Sequence, residues 1–159
     1  MWYHLGAAED HTIYEAEMVG LLMGMQLIKT EKCNKTSCSI GADNQAAIIA
    51  LQSKLTKPGQ HVAAEVVSAA SQLKRSNRGG RYILKIRWTA GHCGIKGNIT
   101  ADKEAKRAAE GHSTAKKDLP KYIHKAMRRS LSTLKQENSK QVNEAWKKRM
   151  ERIQKICKV

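Results

Sequence analysis

The apolar residues of this chain recur with two different periods, and each change of period marks an element. Over residues 13–29 they follow a helical spacing, and Thr12 with Glu15 three positions on forms the capping-box pattern that opens a helix. A shorter helical pattern covers 44–52. Another covers 61–74, with Val62, Val66, Ala69, Ala70 and Leu73 on one face. Between these two, Pro58-Gly59 breaks the chain. Residues 81–88 alternate instead, Tyr82, Leu84, Ile86 and Trp88 against Arg81, Lys85 and Arg87, which is the period of a half-buried strand. Residues 37–42 alternate more weakly and also read as a strand, and 2–5 as a short one ended by Gly6. Residues 77–80 read as a turn and 89–98 as a Gly-rich loop. The stretch 100–110 reads as a helix carrying Ala101, Ala105, Ala108 and Ala109. Strands separated by helices predict an α/β layer fold, with 37–42 and 81–88 paired in parallel through a two-helix crossover.

The 159 residues fit a single globular body with an appendage. Gly111-His-Ser-Thr ends a helical pattern and Leu119-Pro120 opens a new segment, so 1–115 reads as the body and 116–159 as a tail. The tail predicts one or two amphipathic helices, 121–134 and 140–156. The formal net charge is +15, and the tail alone holds +10 of it. Such a balance draws polyanions, nucleic acid first. No apolar run reaches the 18 or so residues of a membrane span, and the first residues lack the pattern of a signal peptide. Cys33, Cys38, Cys93 and Cys157 form no CxxC pair and read as free thiols. The expected setting is a reducing, intracellular one, cytoplasm or nucleus, without a membrane.

Against this basic background three acids stand at the ends of elements. Glu17 lies in the first turns of the first helix, Asp43 directly follows the strand 37–42, and Asp102 starts the helix after the Gly-rich loop. His92 lies inside that loop. In open α/β sheets ligands collect beyond the carboxyl ends of the strands, where Asp43 and His92 both fall. Converging carboxylates repel, and a hard divalent cation relieves them; Mg²⁺ takes carboxylate and phosphate oxygens together. This points to metal-assisted phosphodiester hydrolysis with a histidine able to move protons. Each residue also has a plainer reading. Asp43, followed by Asn44, can cap the next helix. Asp102 can serve the dipole of its own helix. Glu17 and the basic tail can be solvated faces, and His92 can be an incidental loop residue.

Taken in order, three segments resemble the type 1 ribonuclease H family. They are Tyr14-Glu15-Ala16-Glu17, Asp43-Asn44-Gln45, and the run from Trp88-Thr-Ala-Gly-His92 through Gly97-Asn98 to Ala101-Asp102. The likeness covers roughly residues 5–110 and is nearest to the ribonuclease H domains of non-LTR retrotransposon polyproteins. It implies a mixed sheet with flanking helices and a Mg²⁺- or Mn²⁺-dependent endonuclease cutting the RNA strand of RNA–DNA hybrids. It further implies that Glu17, Asp43 and Asp102 are metal ligands and that His92 is the loop histidine of the reaction. Nucleic-acid contacts would fall at Thr12, Asn44, Gln45 and Asn98. The family's first central strand, with its Asp-Gly-Ser motif, has no counterpart, and Ile99 stands where the family usually carries glutamate. The chain therefore reads as N-terminally truncated, with a two-metal site missing one aspartate and activity weak or absent. The alternative is a non-catalytic nucleic-acid-binding retrotransposon remnant. A polynucleotidyl transferase of integrase type shares the acid cluster, but the Gly-His-Cys-Gly loop argues against it.

Overall fold

The computed structural model describes residues 1–159 apart from Ala8, 32–36, 54–58, 77–81, His92, Ser130 and 157–159. Among the described residues five α-helices and two strands follow one another as α1 (Ile13–Thr30), β1 (Ser37–Ala42), α2 (Gln45–Gln52), α3 (Gln60–Ser76), β2 (Ile83–Trp88), α4 (Lys96–Ala109) and α5 (Leu131–Ile156). The chain is thus a mixed α/β protein. Its sheet, among the described residues, is two-stranded, and β1 pairs β2 in parallel from Ser37↔Ile83 to Ala42↔Trp88. The expected parallel pairing is present, with α2 and α3 carrying the crossover.

Helix α1 starts where its capping box predicts. The Glu15 N–H donates to Thr12 Oγ1, and the Thr12 N–H donates back to Glu15 Oε2 at 2.9 Å. The helix buries Met18, Leu21, Leu22 and Met25 at helical spacing, mainly against Val62, Val66 and Leu73 of α3. At Gly24 the helix passes close over β1; a Cβ there would sit 3.5 Å from Ile40 Cδ1. The face of the sheet turned to α1 carries Cys38, Ile40, Leu84 and Ile86, each half-buried, while Ser37, Ser39, Lys85 and Arg87 face water. Gly59 enters α3 at φ +76° beneath the Tyr14 ring, in backbone territory that favours glycine.

Three expectations are corrected. Residues 2–5 form no strand: they have no strand beside them and instead lie along the end of α4. There the Trp2 N–H donates to Thr114 Oγ1 at 2.7 Å, the His4 N–H donates to Ser113 Oγ, and the Trp2 indole N–H donates to Glu104. Helix α4 begins at Lys96 rather than at 100, because the Ile99 N–H finds the Ile95 carbonyl at 3.0 Å and the turn closes over Gly97 and Asn98. The stretch 121–134 is not one helix. It is a 3₁₀ turn over Lys121–His124, then extended chain at Lys125, then the start of α5. Leu119 and Ile123 are buried in the same core as α1, and that packing holds the segment down. The turn expected at 77–80 lies outside the described residues, as does the Pro58 half of the Pro58-Gly59 break.

Candidate active site

Asp43 is presented by the end of the sheet. Beyond the last register pair the Thr89 N–H donates to the Ala42 carbonyl at 2.9 Å, which carries the ladder one step past β2. The Trp88 indole N–H then donates to the Asp43 main-chain carbonyl at 3.0 Å. Gly91 closes this side. A Cβ there would lie 3.1 Å from Asp43 Oδ2, so the loop after β2 approaches the carboxylate more closely than a side chain would comfortably allow. Gly41 does the same for Thr89, whose Cγ2 would stand 3.0 Å from a Cβ at 41. Two chain segments, 41–43 and 88–91, are therefore buttoned together, and Asp43 is the residue they fix.

The capping alternative for Asp43 falls away. Asn44 caps α2 in its place, its Oδ1 accepting the Ala47 N–H at 3.1 Å. Glu17 is the fifth residue of α1 and half-buried. Asp102 is the seventh residue of α4, in its second turn and beyond the strongest part of the helix dipole. The half-buried positions of α4 are Asn98, Asp102, Glu104 and Ala108, so Asp102 lies on the side turned to the protein and Asn98 one turn before it.

These placements bring three acids from three elements into one electrostatic neighbourhood. Burial holds the Glu17 carboxyl above the ordinary glutamate range, and the charges of Asp43 and Asp102 raise it further. Carboxylate oxygens are the donors a hard divalent cation prefers, so the chemistry of the set fits Mg²⁺ or Mn²⁺. Among the described residues no three His, Cys, Asp or Glu side chains stand ready-made around one ion. His92 lies outside the described residues; of its sequence neighbours, Gly91 stands against Asp43.

The expected nucleic-acid contacts are spread over two helix starts and one helix side. Gln45 is the exposed first residue of α2. Thr12 is half-buried, and its hydroxyl both accepts the Glu15 N–H and donates to Glu15 Oε2 at 3.0 Å. A hydroxyl has one proton, so in this arrangement Thr12 has none to offer a phosphate. Sequence reasoning missed Trp88 and Gly91 as positioning groups. Trp88 reads as the last inward residue of a strand, yet its ring is 52% exposed and its N–H holds the neighbouring loop. The signal for Gly91 was its place directly before the loop histidine. Compared with known proteins, the chain matches no family model, no curated protein and no solved structure.

Proposed function

We propose that this chain is a ribonuclease H-like, metal-dependent endonuclease acting on the RNA strand of RNA–DNA hybrids. The observation that supports it is the three-acid neighbourhood: the charges of Asp43, at the end of β1, and Asp102, on α4, both act on a half-buried Glu17 of α1. Glu17, Asp43 and Asp102 would hold Mg²⁺ or Mn²⁺, which when bound supplies charge stabilisation at the scissile phosphate. What the chain's own residues do is separable from that. Trp88 and Gly91 orient Asp43, α4 turns Asp102 inward, and His92, which follows Gly91 in the sequence, is the imidazole that would accept and release a proton. Gln45 and Asn98 offer amide groups at the rim, suited to the 2′-hydroxyls and base edges of a wide minor groove.

The 159 residues supply three carboxylates where the resembling family uses four. We therefore read the chain as slow on its own. The decisive experiment incubates the full chain with a labelled RNA–DNA hybrid in Mg²⁺ and in Mn²⁺, beside Asp43→Asn and Glu17→Gln. Weak, metal-dependent cleavage of the RNA strand that both substitutions abolish is expected. Cleavage that survives Asp43→Asn overturns the assignment of the site. Absence of cleavage in either metal, with hybrid binding intact in EDTA, establishes the second reading, a nucleic-acid-binding remnant. That second reading is favoured by the +10 held by residues 116–159, which draws polyanions without any metal.

A further inference from the structure

The second half of α5 is exposed, and at its near end Lys140, Gln141 and Glu144 line a cavity with Glu9, His11 and Thr12 of the body. From residue 138 to residue 154 every position is exposed. Four large apolar side chains lie on this stretch: Val142, Trp146, Met150 and Ile153, exposed by 47, 59, 45 and 44%. Their intervals of four, four and three residues place them on a single stripe three turns long. Arg149 lies on one edge of this arc, three residues after Trp146 and four before Ile153, with Arg152 further round on the same side. Glu144 and Glu151 fall on the opposite side of the helix. The stripe is therefore apolar with Arg149 on its edge, and Glu144 and Glu151 share the far side with Lys140, Lys147 and Lys148. In proteins most helical stability comes from covering an apolar face rather than from intrinsic propensity.

We propose that this face of α5 is a docking surface for a partner protein, laid as a helix into an apolar groove rimmed by carboxylates. The charge pattern selects that occupant. A second copy of this chain would bring another +15 and no acid on its own stripe to meet Arg149. A lipid surface would seat the apolar anchors with Arg149 at their rim, and it is therefore a separate arm of the test. A nucleic acid could stack on Trp146 and pair with the arginines, but it would leave Val142, Met150 and Ile153 in water. A carboxylate-rimmed groove covers the apolar anchors and answers Arg149 and Arg152 at once, with anchors at i, i+4, i+8 and i+11. This assignment is independent of the reading of Glu17, Asp43 and Asp102.

The test titrates the full chain against calcium-loaded calmodulin, used as a soluble probe because its grooves are Met-lined and acidic. Calmodulin in chelator, mixed phosphatidylserine–phosphatidylcholine vesicles and an RNA–DNA hybrid form the other arms. Trp146→Ser with Met150→Ser removes the stripe at exposed positions without changing charge, and far-UV circular dichroism verifies that α5 persists. Calcium-dependent binding on the order of 1 µM is expected. The double variant should weaken it by about thirtyfold while leaving hybrid binding unchanged. Arg149→Gln should weaken it by about tenfold at low salt. No binding to calmodulin, or binding that the double variant retains, overturns the proposal. So does a stripe-dependent interaction with the vesicles or the hybrid in the absence of one with calmodulin.

Discussion

Glu15 and Glu17 stand two residues apart on α1 and meet opposite conditions. Glu15 is fully buried and holds the helix start through Thr12. Removing its partner hydroxyl in Thr12→Ala should cost about 1 kcal/mol of stability, with Thr12→Ser close to neutral, as read from urea unfolding. Equal midpoints for the three proteins would show that the cap contributes nothing. Glu17 is held up by burial and by Asp43 and Asp102, so the folded chain keeps its proton more tightly than the unfolded chain does. That contribution is fully present below about pH 4.3, the ordinary glutamate value, and is lost as pH rises through the raised value. In metal-free buffer at pH 7 the wild type carries the repulsion. Glu17→Gln should then melt about 2–4 °C higher at pH 7, a gain that shrinks towards pH 4. Calorimetry in EDTA at the two pH values reads this, and an advantage of equal size at both would show that the three acids do not interact.

At the scale of elements, what was legible depended on whether the cause is local. The start of α1 was legible because both halves of its cap lie within four residues, and the parallel pair because each strand carries its own alternation. The start of α4 was not, since Gly97-Asn98 carries a loop signal that the Ile95–Ile99 turn overrides. Residues 2–5 alternate like a strand, but a strand exists only where a neighbour completes its ladder, and here the nearest groups are Ser113 and Thr114. Convergence of the acids was legible only through the family likeness, because no spacing along the chain relates α1 to α4. The bracing of Asp43 by Trp88 is a contact between residues 45 positions apart and left no trace in either segment alone. It carries its own expectation: Trp88→Phe keeps an aromatic side chain and deletes the indole N–H donor. It should cost about 0.5–1 kcal/mol in urea unfolding and lower hybrid cleavage more than that loss of folded protein explains. Unchanged cleavage per folded molecule would mean that Asp43 is placed without the indole.

Over the whole molecule the charge is distributed by structure as well as by sequence. No helix among the described residues is long and apolar enough to cross a membrane. Of the net +15, residues 138–159 hold +5, and the part of them that is described is exposed throughout. The segment before them is not dispensable in the same way, because Leu119, Ile123 and Thr133 are buried. A cut after residue 137 therefore separates charge from fold where a cut at 116 does not. Hybrid binding by the chain so shortened should retain a cooperative unfolding transition and a shallower dependence on salt. Each phosphate contact removed should lower the slope of log K against log salt by about 0.9. A slope unchanged from the full chain would place the phosphate contacts on the body.

The parallel register also sets a schedule for the chain as it is made. Ser37 pairs with Ile83, 46 positions later, so among the described residues the strand partner of β1 is not made until all of α2 and α3 has been synthesised. At about 5–20 residues per second, that interval lasts roughly 2–9 s. During it α1 can already lie over Ile40, but the edges of β1 stay open to any other extended segment nearby. The crossover that joins the two strands thus also sets how long β1 is exposed to wrong pairing during synthesis.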